Sequence, residues 1–106
     1  MEQAPPKNLS AEAKRWFERL VEEYGISDRA GLLLLQTSME SFDRMRQAQK
    51  EVKRDGQQVA DRFGQLKAHP LINVERDARS QMLQALKQLN LDIEPLADGP
   101  GRPPGR

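Results

Sequence analysis

The chain contains no cysteine, and its one histidine is His69. Without cysteine the protein can form neither a disulfide bond nor a cysteine-ligated zinc site. A single histidine also cannot supply the convergent ligands of a histidine-based metal site. His69 directly precedes Pro70, a residue suited to the first position of a helix, so we assign His69 a structural role at a helix start. We therefore predict no bound metal.

Long apolar runs and catalytic motifs are also missing. No apolar segment approaches the ~20 residues that span a bilayer. The first seven residues lack the apolar region of a signal peptide, so the expected location is the cytoplasm. No glycine-rich loop is present to hold a nucleotide phosphate. Glu75 and Asp77 are two residues apart, so they would not face each other on a helix. We predict a protein that is not an enzyme and needs no cofactor.

Overall charge is nearly balanced, because 17 lysines and arginines oppose 16 acidic residues for a net charge of +1. This is not the global basicity of a protein that coats nucleic acid. Between residues 44 and 67, however, seven basic residues oppose three acidic ones, a local charge of +4. This window predicts either a DNA-binding patch or only the cations that favour a helix C-terminus. Its basic residues are Arg44, Arg46, Lys50, Lys53, Arg54, Arg62 and Lys67.

Three amphipathic helices are predicted from apolar residues spaced three and four apart. The first covers residues 11–24, with Ser10 as its N-cap and Gly25 at its end. The second covers residues 28–55, and at ~1.5 Å per residue it would be roughly 40 Å long. The third covers residues 71–89. The fold class is therefore all-α, with a long central helix.

The segments between and outside these helices are polar. The connector of residues 56–68, before the third helix, predicts either a loop or a short hairpin. We interpret residues 1–9 as a flexible N-terminal arm and residues 10–91 as one helical domain for oligomerisation and DNA binding. Residues 92–106 are rich in proline, glycine and arginine, which predicts a disordered tail.

The second helix begins with four consecutive leucines, Leu32 to Leu35. Successive residues of a helix advance by about 100°, so these side chains point in nearly every direction and need burial on at least two sides. Either two short helices of the same chain or a neighbouring subunit could supply it. The modest core favours a contribution from a subunit. The predicted oligomer interface contains Trp16, Phe17, Leu33, Leu34 and Phe42.

Short motifs follow one another in order between Leu9 and Leu96. They are the opening helix Leu9–Trp16, Gly31–Leu35 followed by Asp43-Arg44, the Asp55-Gly56 turn, Phe63-Gly64 with His69-Pro70, and Glu75-Arg76 followed by Leu89–Leu91. In this order and spacing they resemble the small subunits of phage DNA-packaging terminases.

The resemblance implies an all-helical protomer that assembles into a homo-oligomeric ring in the host cytoplasm. Such a ring engages double-stranded viral DNA near the packaging start. It also delivers the DNA to the large terminase subunit, which holds the ATPase and nuclease, and modulates that subunit. The tail is then a candidate contact for the large subunit, and neither a membrane nor a catalytic residue is implied.

Two alternatives remain open from the residues alone. One is a helical protein–protein interaction module, whose basic cluster only solvates a helix end. The other is a small DNA-binding regulator without a packaging role. A helix-turn-helix motif that recognises DNA bases is disfavoured. The N-terminal part of a recognition helix needs polar side chains that reach the base edges, and here it would carry Leu32–Leu35.

Overall fold

A computed structural model describes residues 4–91, which form three helices and a small antiparallel sheet. Residues 1–3 and the predicted tail of residues 92–106 lie outside the described residues. The predicted three helices with a long central helix are confirmed, but the fold is mostly helical and not all-α, because the connector forms a hairpin. The elements are α1 (Ala11–Tyr24), α2 (Arg29–Asp55), β1 (Gln58–Ala60), β2 (Leu66–Ala68) and α3 (Leu71–Gln88).

Local signals in the sequence set the helix ends. The Ser10 side chain accepts a hydrogen bond from the backbone N–H of Ala13, which caps α1. Gly25 ends that helix in the left-handed region at φ 63°, where glycine carries no Cβ penalty. The Asp28 carboxylate caps α2 by accepting from the N–H of Gly31. These predictions of helix bounds agree with the structure to within one residue.

The long helix α2 is the central element, and both other helices run antiparallel to it. The Ser38 hydroxyl donates to the carbonyl of Met82 at 3.4 Å, while the Gln49 amide donates to Glu75 at 3.2 Å. These contacts hold α3 along most of α2. On another side, the start of α1 contacts α2 only as far as Arg46. Beyond Arg46, this side of α2 is therefore not covered by α1.

The core lies where the three helices meet. It contains Leu9, Ala13, Phe17, Ile26, Leu35, Met39, Phe42, Met45 and Ala78. Part of the predicted N-terminal arm belongs to it, because Leu9 is 5% exposed and the neighbouring Asn8 side chain donates to Glu40 of α2 at 3.2 Å. The packed body thus begins before α1.

The four leucines of α2 divide between the core and the surface. Leu35 is fully buried, and Leu32 and Leu34 are half-buried. Leu33 is 63% exposed. The protein's own helices therefore cover three of the four directions, and only Leu33 faces solvent in the single chain.

The connector between α2 and α3 forms a short β-hairpin. Val59 pairs with Lys67 at the centre of its antiparallel register. The Asp61 carboxylate accepts from the backbone N–H groups of Phe63 and Gln65, and Gly64 adopts φ 82°. A backbone hydrogen bond from Asp61 to Gln65 closes a three-residue loop, residues 62–64, which ends in the left-handed glycine, a common way to join two strands.

Candidate nucleic-acid interface

One side of α2 changes from apolar to basic along its length. Leu35, Met39 and Phe42 recur at helical spacing and are buried in the core where the three helices meet. The same spacing continues with Lys50 and Lys53, which are both exposed. Because α1 begins beside Asp43 and Arg46, these lysines lie past its end. The uncovered side of α2 therefore presents cations to solvent.

Two arginines of the predicted basic window are paired with acids. The Arg46 guanidinium lies 3.3 Å from the Glu12 carboxylate, which ties the start of α1 to α2. Arg54 lies 2.8 Å from Asp55 and 3.8 Å from Glu51. These carboxylates offset part of the charge of both arginines, which reduces their contribution to any anion-binding surface.

The other basic residues of the window lack such partners. Among residues 4–91, no carboxylate lies within ion-pairing distance of them. The Arg44 guanidinium is held by neutral groups instead, at 3.1 Å from the Ser41 hydroxyl and 3.2 Å from the Gln81 amide oxygen. We call these residues the unpaired cations: Arg44, Lys50, Lys53, Arg62 and Lys67.

A shallow groove runs between the start of α1 and α2, and it leads to Lys50 and Lys53. Asp43 also lines this groove, but its carboxylate is occupied. It accepts from the Ser10 backbone N–H at 2.8 Å and from the Ser10 hydroxyl. With Asp43 and Glu12 both engaged, the open end of the groove is dominated by the lysines.

His69 fastens the hairpin to the helix ends. Its backbone N–H donates to the carbonyl of Gln57. Its ring Nε2 lies 3.0 Å from the Asp55 carboxylate, and its Nδ1 accepts from the N–H of Leu71 at the first turn of α3. The helix-start role predicted for His69 is confirmed, and the contact with Asp55 is additional. Hydrogen bonds from Arg54 and then from His69 hold the pKa of the Asp55 carboxyl well below its ordinary value.

The residues predicted for an oligomer interface differ in how exposed they are in the single chain. Phe17 and Phe42 are 3% and 7% exposed in the single chain, so they belong to its own core. Trp16 and Leu33 are 43% and 63% exposed. Leu34 is half-buried and lines a groove with the end of α3. Only the exposed members have substantial area left to bury against a second subunit.

The exposed hairpin tip was not singled out from the sequence. Phe63 is 76% exposed and Leu66 is 67% exposed. The only available signal was local: Asp61 and Gly64 fit a turn between short runs that could be strands. A three-residue strand is too short to show a periodic pattern, so that signal did not decide between a loop and a hairpin.

The described residues show neither a metal-ligand cluster nor a membrane-spanning helix. Within residues 4–91, histidine and acidic side chains form no group of three or more that could hold a metal ion. No helix in that part of the chain is long and apolar enough to cross a membrane.

Comparison with known protein families gives a match. The family model described as phage terminase, small subunit, matches residues 13–95, which include all but the first two residues of α1 and the whole of α2, the hairpin and α3. Comparisons with curated proteins and with solved structures gave no match. The matched region covers most of the chain and confirms the resemblance predicted from the motifs. The chain therefore belongs to the phage terminase small-subunit family.

Proposed function

We propose that this protein is the non-catalytic small subunit of a phage DNA-packaging terminase. In this proposal it forms a ring, binds double-stranded viral DNA and regulates the large subunit that holds the ATPase and nuclease. Family membership supports a packaging-related role. Four of the unpaired cations support DNA as the ligand: Lys50 and Lys53 near the hairpin end of α2, and Arg62 and Lys67 on the hairpin. They are the observation on which the proposal mainly rests.

The charge of one protomer is modest, so repetition matters. Each phosphate that a protein neutralises releases condensed counterions, and the affinity for DNA then falls steeply as salt increases. A ring that presents Lys50, Lys53, Arg62 and Lys67 from every protomer would multiply the contacts without any protomer being strongly basic. This accounts for a DNA-binding role in a chain whose net charge is only +1.

The exposed apolar residues at the other end of the protomer support assembly. Leu33 and Trp16 are 63% and 43% exposed, whereas their neighbours Leu35 and Phe17 are buried in the core. We propose them as the centre of the subunit contact, with Leu34 at its margin. The predicted tail of residues 92–106 remains the candidate contact for the large subunit.

DNA binding is best tested with two lysines in matched positions. Lys53 and Lys87 each lie in the last turn of a helix, so reversing either charge costs a similar interaction with the helix dipole. We expect Lys53→Glu to weaken DNA binding uniformly across sequences and to reduce the salt slope by at least about one. Lys87→Glu should leave both quantities unchanged. Fluorescence anisotropy with labelled duplex at several salt concentrations measures both.

The outcome also separates the proposal from its main alternative. If the unaltered protein has no measurable affinity for duplex DNA at low salt, the DNA-binding part is wrong and a protein-interaction module is favoured. If both lysine variants lose equal affinity, binding is nonspecific over the whole surface. Light scattering during size-exclusion chromatography tests the ring, because a monomer at tens of micromolar would contradict it.

A further inference from the structure

The hairpin carries apolar side chains into solvent. Phe63 and Leu66 are the two most exposed large apolar residues of the described chain, at 76% and 67%. Because so little of their surface is buried, they contribute little to folding through the hydrophobic effect. Clustered exposed apolar side chains on a polar protein mark binding surfaces. Binding to a ligand therefore explains these exposed side chains better than a role in folding does.

The turn that carries Phe63 is held by its own hydrogen bonds. The Asp61 carboxylate accepts from the Phe63 N–H at 2.8 Å and from the Gln65 N–H at 3.0 Å. The Asp61 backbone also pairs with Gln65, and its carbonyl accepts from Gly64. At the base of the ribbon, His69 joins the hairpin to both helices. Phe63 is thus presented on an ordered support.

The hairpin that carries Phe63 also carries two cations. The Arg62 guanidinium lies over the Phe63 ring, with its Cζ atom 5.1 Å from the ring centroid. Lys67 follows on β2, and within residues 4–91 neither cation has an ion-pair partner. The one acid of the loop, Asp61, is occupied by the turn. An aromatic ring flanked by available cations matches a polyanion with stacked bases better than it matches an apolar protein surface.

We propose that this hairpin tip is a wedge that enters the minor groove of duplex DNA. Apolar side chains inserted at a base step partly unstack it and bend the duplex, while neighbouring cations hold the phosphates. The minor groove is about 6 Å wide, too narrow for the ribbon body but accessible to the side chains of its tip. Phe63 is the wedge, and Arg62 and Lys67 contact the flanking phosphates. The inference rests on the proposed DNA-binding function and adds a base-contacting residue to it.

The test compares loss of the wedge with loss of a phosphate contact. We expect Phe63→Ala to reduce duplex affinity by about 5- to 150-fold, the range for losing an aromatic contact with a base, without changing the salt slope. Energy transfer between dyes at the two duplex ends should report the loss of bending. Lys53→Glu should do the reverse, reducing the salt slope while the bend persists. Phe63→Trp should retain both binding and bending.

A matched control removes an exposed apolar side chain elsewhere. Leu83 of α3 is 54% exposed, and Leu83→Ala should change neither affinity nor bending. Circular dichroism and light scattering on every variant check the fold and the assembly.

Three results would overturn the inference. If Phe63→Ala binds and bends DNA normally while Lys53→Glu binds weakly, the wedge is wrong and the DNA-binding function stands. If Phe63→Ala instead lowers the oligomer mass, the tip is a contact with a second copy of the chain. If the unaltered protein does not bind duplex at low salt, the wedge and the proposed DNA-binding function fail together.

Discussion

The two halves of α2 are built on the same helical spacing but stabilised differently. In the first half, Leu35, Met39 and Phe42 lie in the core and are at most 7% exposed. In the second half, the equivalent positions are Lys50 and Lys53, which no helix of the described chain covers. The length of α1 marks the change from apolar to cationic residues. A long helix can thus serve as core at one end and as a polar surface at the other.

The two ends also differ in the kind of contact that orders them. Burial of apolar side chains stabilises the first half, which α1 covers. The hairpin end is held by directed hydrogen bonds, chiefly those that His69 makes with Gln57, Asp55 and Leu71. Burial contributes in proportion to the area removed from water, whereas single hydrogen bonds contribute about 0.5–1.5 kcal/mol each. On this side of α2, substitutions should therefore affect stability much more in the first half than in the second.

The largest effect is expected at Leu35, which is fully buried. Leu35→Ala should lower the free energy of unfolding by about 2–5 kcal/mol, because it removes apolar contacts and leaves a cavity. Lys53→Ala, on the same side of the helix, should stay within about 0.5 kcal/mol. Urea unfolding followed by circular dichroism measures both. Similar losses at the two positions would contradict the contrast between the halves of α2.

This contrast was only partly predictable from the sequence. The helix bounds followed from neighbouring residues, such as Ser10 with Ala13 and Gly25 after Tyr24, so periodicity and capping were enough to find them. The division of the four leucines was only partly predictable. Leu35 shares helical spacing with Met39 and Phe42, which marks it as a core residue. The exposure of Leu33 depends on where α1 and α3 cross α2, and no local signal separates it from the half-buried Leu32 and Leu34.

The charge pattern shows the same limit. The sequence places Arg46 and Lys50 in one basic window, yet only Arg46 meets a carboxylate of another helix. Its partner Glu12 is separated from it by 34 positions, and only the antiparallel packing of α1 on α2 brings the two together. Summing the charges over a sequence window therefore overstates the positive charge that this surface presents to an anion. The unpaired cations could be distinguished only after the fold was known.

An intermediate effect is expected at His69, where a side chain rather than a core holds the hairpin end. His69→Ala removes the acceptor for the Leu71 N–H and should cost about 0.5–2 kcal/mol, the usual range for losing a helix N-cap. Hydrogen exchange should accelerate at Leu71 and at the hairpin base, and remain slow in the first half of α2. His69→Asn, which keeps a capping acceptor, should recover part of the loss. Uniform acceleration along all of α2 would mean that its halves are not independent.

The smallest effect is expected from the pH dependence of Asp55. Hydrogen bonds from Arg54 and then His69 lower the pKa of this carboxyl in the folded protein, and Glu51 is the acidic neighbour of the same arginine. In the unfolded chain its pKa returns to about 3.9. The stabilisation is therefore fully present above about pH 4 and is lost progressively as the pH falls below it.

Asparagine at this position cannot titrate, so the stability advantage of the unaltered protein over Asp55→Asn should shrink between neutral pH and pH 3. Urea midpoints at several pH values measure that difference. Asp77→Asn, which removes an exposed carboxylate beside Arg76, controls for the change in net charge. If the difference for Asp55→Asn stays constant down to pH 3, the ionised carboxylate does not stabilise this end of α2. The capping by His69 and the packing of α3 would then be what order the hairpin base.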